Sequence, residues 1–243
     1  MKVFPGGKNN MHEVKGAIFD MDGTLLDSMP VWKRLTQGYL KQFGIHVTDE
    51  EYAACEGFSQ PQVAQYFADR YPELPGGAPG LMEGMDRLIT TRYETIAKPK
   101  DGVIAFLDGL RRRGIKMAIA TLTARRHAEK ALRDRDMMGY FDFMLTIEDV
   151  GISKYQPDIY LKTAEKMGLA PADCMVFEDA PYACTTAKRA GFRVSAWWSR
   201  RMRQGKASCA RQVIWLWNSR LTNCRENCKK GLAISVFISY TIY

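Results

Sequence analysis

Long apolar runs are missing from this sequence of 243 residues, and none approaches the roughly 20 residues that a membrane-spanning helix needs. Residues 1–10 form a short polar stretch, so we predict neither a signal peptide nor a membrane anchor. The six cysteines show no spaced framework, and no histidines accompany them at metal-ligand spacing, which favours free thiols over disulfides or a zinc site. These absences predict a cytoplasmic protein, and the 46% apolar and 26% charged residues are typical of a globular fold.

Acidic residues are nearly absent from the end of the chain. Residues 196–243 hold nine lysines and arginines against one acid, and therefore carry the entire net charge of +8. The first 195 residues balance 26 basic against 26 acidic residues, and such a neutral body lacks the positive surface that nucleic acids bind. We therefore predict no nucleic-acid and no membrane partner. The basic tail is either a binding arm or non-native sequence from a reading-frame change near Ser195; we favour the second interpretation, which resequencing the coding DNA would test.

Two kinds of segment follow one another along the rest of the chain. Short β-prone apolar runs predict strands at residues 14–19, 116–121, 141–146, 175–177 and 192–197. Helical spacing of apolar residues separates the last four runs, an alternation typical of βαβ units and a parallel sheet. Residues 29–98 instead predict consecutive helices without a strand, with capping boxes at residues 48–51 and 59–62 and a loop at residues 73–80.

This order of segments predicts an α/β fold with a Rossmann-like parallel sheet core and an inserted α-helical cap. The predicted division is into a core of residues 11–28 and 99–198, a cap of residues 29–98 and an atypical tail of residues 199–243. Two hinges, at residues 27–30 and 98–102, join the cap to the core. We find no further strand after residue 197, so we expect one edge of the sheet to remain uncovered.

Two aspartates end the first predicted strand, two residues apart. Residues two apart in an extended segment face the same side, so Asp20 and Asp22 would project together at the carboxyl edge of the sheet, where ligands bind. Two close carboxylates favour a cation beside them, and oxygen ligands select a hard ion such as Mg²⁺. A carboxylate can also attack phosphorus while its neighbour transfers the proton. By itself the pair is equally consistent with a turn or a helix cap.

Four further polar residues follow strands or precede a helix near the same edge. Thr121 offers a hydroxyl and Lys154 a positive charge for a developing phosphorane, while Glu178 and Asp179 add two carboxylates. Each has an ordinary structural alternative, as a helix cap or a solvated surface residue. Because the carboxyl ends of parallel strands meet at one edge, all four would converge near Asp20, and that shared position favours a catalytic site.

Four segments of the chain resemble the sequence motifs of the haloacid dehalogenase superfamily, in particular its phosphatase and β-phosphoglucomutase-like group with a helical cap. They are residues 16–28 (GAIFDMDGTLLDS), 118–121 (AIAT), 154–160 (KYQPDIY) and 176–180 (VFEDA). The first motif is highly specific, and the resemblance extends over roughly residues 14–196. Two loop positions differ from the family pattern, because Ser153 stands where glycine is usual and Tyr155 where a small residue is common.

The resemblance implies a Mg²⁺-dependent phosphatase, a phosphoric monoester hydrolase that acts on a small phosphorylated metabolite such as a sugar phosphate through an aspartyl-phosphate intermediate. Asp20 would be the nucleophile and Asp22 the general acid and base. Thr121 and Lys154 would bind the transferring phosphoryl group. The implied ligands of Mg²⁺ are Asp20, Asp22 through its backbone carbonyl, Glu178 and Asp179.

Three other functions share these residues or do without them. A β-phosphoglucomutase-like enzyme would return the phosphoryl group to another sugar hydroxyl with the same core residues. A dehalogenase is disfavoured, because its reaction has no use for the second aspartate, and a non-catalytic binding protein would act through the basic tail. We expect a monomer whose cap chooses the substrate, with candidate contacts at Gly57, Phe58, Ser59, Arg70 and Arg92.

Overall fold

A central β-sheet organises the computed structural model, which describes residues 14–55, 57–197 and 239–241. The strands within these ranges are β1 (Gly16–Phe19), β2 (Lys116–Ala120), β3 (Phe143–Leu145), β4 (Cys174–Glu178), β5 (Arg193–Trp197) and β6 (Ser239–Thr241). Their order across the sheet is β3-β2-β1-β4-β5-β6. Strands β1 to β5 are parallel, and the register places Phe19 beside Ile119 on one side and Phe177 on the other. The predicted parallel α/β sheet is confirmed.

A run of helices without a strand separates β1 from β2, as the sequence pattern predicts. These helices are α1 (Met29–Lys41), α2 (Asp49–Ala53), α3 (Gln60–Arg70) and α4 (Gly77–Ile96). Both predicted capping boxes form. The Glu51 N–H donates to Thr48 Oγ1 at 3.1 Å, and the Ser59 N–H donates to Gln62 Oε1 at 2.8 Å. These side chains satisfy backbone groups that the first turns of α2 and α3 leave unpaired.

Helix α4 begins earlier than predicted, because part of the loop assigned to residues 73–80 is helical. The chain enters the helix through Gly76 and Gly77, whose φ values of +75° and +55° suit glycine. Pro79 then lies in the first turn of α4, where its missing N–H would have no helical partner. Glycine and proline therefore start this helix, although their abundance predicts a longer loop.

Helices pack on both faces of the sheet, so β1 is buried throughout. The helices that follow the cap are α5 (Val103–Arg112), α6 (Arg125–Arg133), α7 (Ile147–Val150), α8 (Asp158–Met167) and α9 (Pro181–Arg189). Ala17 and Phe19 pack into an apolar cluster with residues of α5 and α6, whereas Ile18 packs with residues of α8 and α9. Alternate residues of a strand face opposite sides, so this partition fixes the orientation of the strand ends.

Two adjacent segments join the run of helices to the sheet. The Asp27 N–H donates to the Lys98 carbonyl at 2.8 Å, and the Lys100 N–H donates to the Leu25 carbonyl at 2.9 Å. Leu26 and Pro99 form an antiparallel bridge between them. The chain therefore leaves the sheet region and returns to it side by side, at the two predicted hinges.

The end of the chain differs from the prediction at one point. Strand β6 pairs antiparallel with β5, with Tyr240 opposite Ala196. The expectation of an uncovered edge is wrong, because Ser239–Thr241, three residues of a β-prone and nearly uncharged stretch of sequence, pair with β5. The rest of the predicted tail, and residues 11–13 of the predicted core, lie outside the described residues. Of the helices that are described, none combines the length and apolar character required to cross a bilayer.

Candidate active site

Four of the predicted site residues meet at the carboxyl edge of the sheet. Asp20 directly follows β1, Glu178 ends β4, and Asp179 comes next. One carboxylate oxygen of each lies within 4.8 Å of the others. Lys154 reaches them from the loop before α8, with Nζ 2.5 Å from Asp20 Oδ1 and 2.5 Å from Glu178 Oε1. The parallel sheet therefore brings these four side chains together, as their positions at strand ends led us to expect.

Asp20 has one partnered and one unpartnered carboxylate oxygen. Its N–H donates to the Phe177 carbonyl at 2.9 Å, which continues the ladder between β1 and β4 beyond the strand end. The residue is only 6% exposed. Oδ1 accepts from Lys154, whereas Oδ2 is buried and has no hydrogen-bond partner among the described residues. A buried carboxylate oxygen without a donor is unfavourable, so this atom marks the position of a ligand.

Burial sets the electrostatics of this cluster. It raises the pKa of Asp20 well above its usual value, against the opposing charge of Lys154 and with the added repulsion of Glu178 and Asp179. It also raises the pKa of Asp179 to about 7, and the charge of Glu178 adds to this shift. For Lys154, burial lowers the pKa, but Asp20 and Glu178 outweigh it and hold the pKa above its usual value. Lys154 therefore remains a cation among crowded carboxylates.

The cluster fits a divalent cation. With Asp20, Glu178 and Asp179 ionised and Lys154 protonated, it carries an excess of two negative charges. Its donors are carboxylate oxygens, which hard cations prefer as ligands. The unpartnered Asp20 Oδ2 offers such a cation a buried ligand atom. The residues present are therefore suited to hold a metal ion of this class.

A glycine lets the chain turn close to these carboxylates. Gly23 has a φ of +81°, and a Cβ built there would collide with the carboxylate of Asp179. Its N–H donates to the Leu26 carbonyl at 2.9 Å, and Lys100 Nζ donates to its carbonyl oxygen. Only glycine meets both the conformational and the steric requirement, so this turn, which follows Asp22, depends on it.

Neutral donors hold Asp22. Its Oδ1 accepts from the Ser28 hydroxyl at 2.5 Å and from the Trp32 indole N–H at 3.0 Å. Its Oδ2 accepts from the Thr123 hydroxyl at 2.6 Å. The acidic cluster found within the described residues does not include the Asp22 carboxylate, which points to the hinge and to α1. The carboxylate of Asp22 thus has different hydrogen-bond partners from the carboxylate of Asp20.

The remaining predicted residues lie outside the cluster of Asp20, Lys154, Glu178 and Asp179. Thr121 is buried just past β2, the strand next to β1, and its Oγ1 accepts from the Thr123 N–H at 3.1 Å. Gly57 lies against the core, since a Cβ built there would be 2.7 Å from the ring of Tyr155. Arg70 instead pairs with Glu51, with 2.5 Å between Nε and Oε1. Among the described residues, Phe58 and Ser59 make no contact with the site. The side chain of Arg92 lies outside the described part of the chain.

Sequence reasoning missed the side chains that orient the acids. Tyr160 donates its hydroxyl to Glu178 Oε1 at 2.7 Å, while Ser28, Trp32 and Thr123 hold Asp22. Two of them lie inside the family motifs, Ser28 in residues 16–28 and Tyr160 in residues 154–160. Trp32 stands four residues after Ser28, a spacing that places both on one face of a helix. The spacing of Ser28 and Trp32 was therefore a usable signal in the sequence.

The fold and this acidic edge define a class of protein. The chain belongs to the haloacid dehalogenase-like hydrolase family, whose family model matches residues 17–197. It is 32% identical over 188 residues to hexitol phosphatase A of Escherichia coli (strain K12), covering 75% of this chain and 82% of that protein. It is 30% identical over 181 residues to fructose-1-phosphate phosphatase YqaB of the same strain, covering 72% of this chain and 92% of that protein.

A solved structure shows the same fold. CbbY from Rhodobacter sphaeroides, in complex with phosphate, matches with a TM-score of 0.66 and 21% identity over 79% of this chain and 90% of that chain. The predicted family and the α/β fold with a helical cap are confirmed. The prediction of an enzyme, a phosphoric monoester hydrolase of this family, is confirmed as well. The chemical roles of the individual site residues stay predictions.

Proposed function

We propose that the protein is a Mg²⁺-dependent phosphatase that hydrolyses a small phosphorylated metabolite through an aspartyl-phosphate on Asp20. The main support for this proposal is the difference between the two carboxylate oxygens of Asp20. One of its oxygens is held by Lys154, and the other is buried without a partner, in a cluster with Glu178 and Asp179. The names of the two relatives, a hexitol phosphatase and a fructose-1-phosphate phosphatase, support a phosphorylated sugar or sugar alcohol as substrate.

In the first step, a carboxylate oxygen of Asp20 attacks the phosphorus, and the bond between phosphorus and the ester oxygen breaks. Asp22 gives its proton to that oxygen, so the metabolite leaves as an alcohol. Thr121 and Lys154 hold the transferring phosphoryl group. The Lys154 ammonium already lies beside Asp20 Oδ1, where it offsets the negative charge that develops on the phosphoryl oxygens.

In the second step, water attacks the phosphorus of the aspartyl-phosphate and gives its proton to Asp22. The bond between phosphorus and the Asp20 oxygen breaks, which releases inorganic phosphate and restores both carboxyl groups to their starting states. Asp22 thus acts as acid and then as base, a pair of roles that needs a fixed position. Ser28, Trp32 and Thr123 provide that position through their three hydrogen bonds.

Asp20 and Asp179 would hold Mg²⁺ together with the backbone carbonyl of Asp22, and Glu178 lies beside them. When bound, the ion would neutralise the crowded carboxylates and polarise a phosphoryl oxygen. The excess negative charge of the cluster and the unpartnered Asp20 Oδ2 support this assignment.

We assign residues 11–28 and 99–198 to the catalytic core, residues 29–98 to the cap and residues 199–243 to an atypical basic tail that we interpret as non-native sequence. The cap would close over the site and choose the substrate. The approach of Gly57 to the ring of Tyr155 supports this assignment, because it places the cap loop against the loop that carries Lys154. We expect a cytoplasmic monomer that acts on free metabolites.

The test is the release of p-nitrophenol from p-nitrophenyl phosphate, with Mg²⁺ and with excess EDTA, beside phosphate release from a set of sugar phosphates. We expect turnover that requires Mg²⁺ and that Asp20→Asn abolishes. Folded protein that releases no phosphate from any ester would contradict the proposal. Conversion of a sugar phosphate into an isomer without phosphate release, followed by ³¹P NMR, would instead indicate the β-phosphoglucomutase-like alternative.

A further inference from the structure

All the hydrogen-bonding capacity of the Glu178 carboxylate is already in use. Its Oε1 accepts from Lys154 Nζ at 2.5 Å and from the Tyr160 hydroxyl at 2.7 Å. Its Oε2 accepts from the N–H groups of Asp179 at 3.2 Å and Ala180 at 3.3 Å. A carboxylate has about four acceptor positions, and here four donors fill them. A metal ion could bind Glu178 only by displacing a donor, whereas no described residue donates a hydrogen bond to Asp20 Oδ2.

Lys154 needs the support that Glu178 gives. A lysine ammonium is a point charge on a flexible four-carbon stem, and its position depends on its hydrogen-bond partners. Lys154 is 2% exposed, and its Nζ bridges Asp20 Oδ1 and Glu178 Oε1 at equal distances of 2.5 Å. Because Asp20 is the reacting group, Glu178 is the one of these two described partners that can serve as a constant anchor for this ammonium throughout the reaction.

Tyr160 in turn anchors Glu178 to a rigid element. It lies in the first turn of α8, is fully buried, and packs edge-on against Phe192 with 6.2 Å between ring centroids. Burial and the charge of Glu178 raise the pKa of the Tyr160 hydroxyl well above its usual value, so the hydroxyl keeps its proton and remains a donor. A helix that packs against the sheet can fix a side chain more tightly than a loop can.

We propose that Tyr160 and Glu178 are positioning residues that hold the Lys154 ammonium at Asp20, and that Glu178 has this role in place of coordinating the metal ion. The inference rests on the proposed phosphatase function, in which Lys154 stabilises the transferring phosphoryl group. It replaces the expectation that Glu178 is itself a ligand of Mg²⁺.

The first experiment is a double-mutant cycle with Tyr160→Phe and Lys154→Met, read as kcat/KM for p-nitrophenyl phosphate. Tyr160→Phe removes one buried oxygen and should lower kcat/KM by about tenfold, mostly through kcat. If Tyr160 acts through Lys154, the same substitution should change little in the Lys154→Met background. An equal loss in both backgrounds would overturn the inference.

Tyr140→Phe is the matched control. Tyr140 also donates its hydroxyl to a carboxylate, Asp108 Oδ1 at 2.8 Å, but it lies before β3 at the opposite edge of the sheet. The control variant loses the same atom from the same kind of pair and should keep the rate of the unmodified protein. A comparable fall in kcat/KM would show that the loss in Tyr160→Phe is structural.

The second experiment measures binding of Mg²⁺, and then of inorganic phosphate in the presence of Mg²⁺, by calorimetry, which requires no turnover. Glu178→Gln should weaken phosphate binding about tenfold and Mg²⁺ binding much less than Asp179→Asn does. Equal weakening of Mg²⁺ binding in the two variants would overturn the role assigned to Glu178.

The phosphate measurement also separates the two proposals. In a protein without turnover the same cycle is read as the affinity for inorganic phosphate in the presence of Mg²⁺. Intact phosphate binding with non-additive effects of Tyr160→Phe and Lys154→Met on that affinity would overturn the phosphatase function alone. Additive effects in an active enzyme would overturn the positioning role alone. A protein that neither turns over phosphate esters nor binds phosphate would overturn both.

Discussion

Asp20 and Asp22 stand two residues apart, yet the protein holds them in different ways. Asp20 is paired with a charged group, because Lys154 bridges it to Glu178. Lys154 comes from the loop before α8 and Glu178 from the end of β4. The contacts described for Asp22 include three with neutral donors, one of which is the indole of Trp32 on α1. Among the residues that the structure describes, the acidic cluster contains the first aspartate but not the carboxylate of the second.

This difference separates two requirements of phosphoryl transfer. The proposed nucleophile must keep its position throughout the reaction. Within the part of the chain that the structure describes, Asp20 is held by Lys154 and by the Phe177 carbonyl, which both lie outside the helices between β1 and β2. The proposed general acid must be presented to the substrate, and Asp22 is tied to the predicted hinge through Ser28 and to α1 through Trp32. A movement of α1 would therefore act on Asp22 and leave the partners of Asp20 in place.

We expect the largest effect on activity from substitution of Asp20, the aspartate that is paired with a charged group. Asp20→Asn should lower turnover of p-nitrophenyl phosphate by roughly 10⁴-fold, because an amide cannot form the phosphorylated intermediate. The fold should persist, and circular dichroism with thermal unfolding provides the control. Residual activity within tenfold of the unmodified protein would remove Asp20 from its role.

Substitution of Asp22, the aspartate held by neutral donors, should lower activity less, and the loss of activity should depend on the substrate. Asp22→Asn removes the general acid, a contribution of about 10²- to 10⁴-fold. p-Nitrophenolate leaves without a proton, whereas a sugar alkoxide needs one, so we expect a greater loss of kcat with a sugar phosphate. Equal losses with both substrates would count against Asp22 as the acid and leave it only the role of base.

Removal of the metal ion should destabilise the folded protein near neutral pH, through the acidic cluster that contains Asp20. Burial and the charge of Glu178 raise the pKa of Asp179 from 3.8 to about 7. A carboxyl with a raised pKa binds more protons in the folded state, so the metal-free protein loses stability as the pH rises from about 4 to about 7. We expect its midpoint of thermal unfolding to fall by roughly 5 °C between about pH 5 and pH 7.5, and added Mg²⁺ to restore it.

Two variants serve as controls for that profile. Asp179→Asn removes the titrating group, so the fall in the unfolding midpoint with pH should become smaller. Asp22→Asn keeps Asp179 and should retain the fall seen in the unmodified protein. A profile that is unchanged in Asp179→Asn would show that another group is responsible.

The smallest effect should come from loosening the tie between α1 and Asp22. Trp32→Phe removes one neutral donor while Ser28 and Thr123 remain, so we expect kcat to fall about threefold. Tyr39→Phe is the control. Tyr39 is also on α1, but its hydroxyl donates to the Gly80 carbonyl and not to Asp22. Similar losses in the two variants would indicate a general weakening of helix packing.

Much of the frame was predictable from the sequence because simple periodicities determine it. Alternating strands and helices predict the parallel sheet, and strand ends predict that Asp20, Lys154, Glu178 and Asp179 meet at one edge. The hydrogen-bond donors that orient these acids were harder to predict from the sequence. The contact of Tyr160 with Glu178 depends on how α8 is rotated against the sheet, which a linear pattern does not specify.

The edge of the sheet shows the same limit in another form. β6 lies more than forty residues after β5 in the sequence, and its pairing is a long-range contact that composition alone does not register. Local rules fail at α4 for a related reason, since Gly77 and Pro79 suit either a loop or a first helical turn. In both cases tertiary packing decides between local alternatives.

The bridge between Leu26 and Pro99 has a consequence for how such proteins diversify. The chain departs and returns at neighbouring points, so the intervening helices occupy the place of a single long surface insertion. A segment of different length or architecture could be grafted at the same two points without re-routing any strand. Recombination at this junction would then alter substrate selection while the reacting groups of the sheet edge are inherited unchanged.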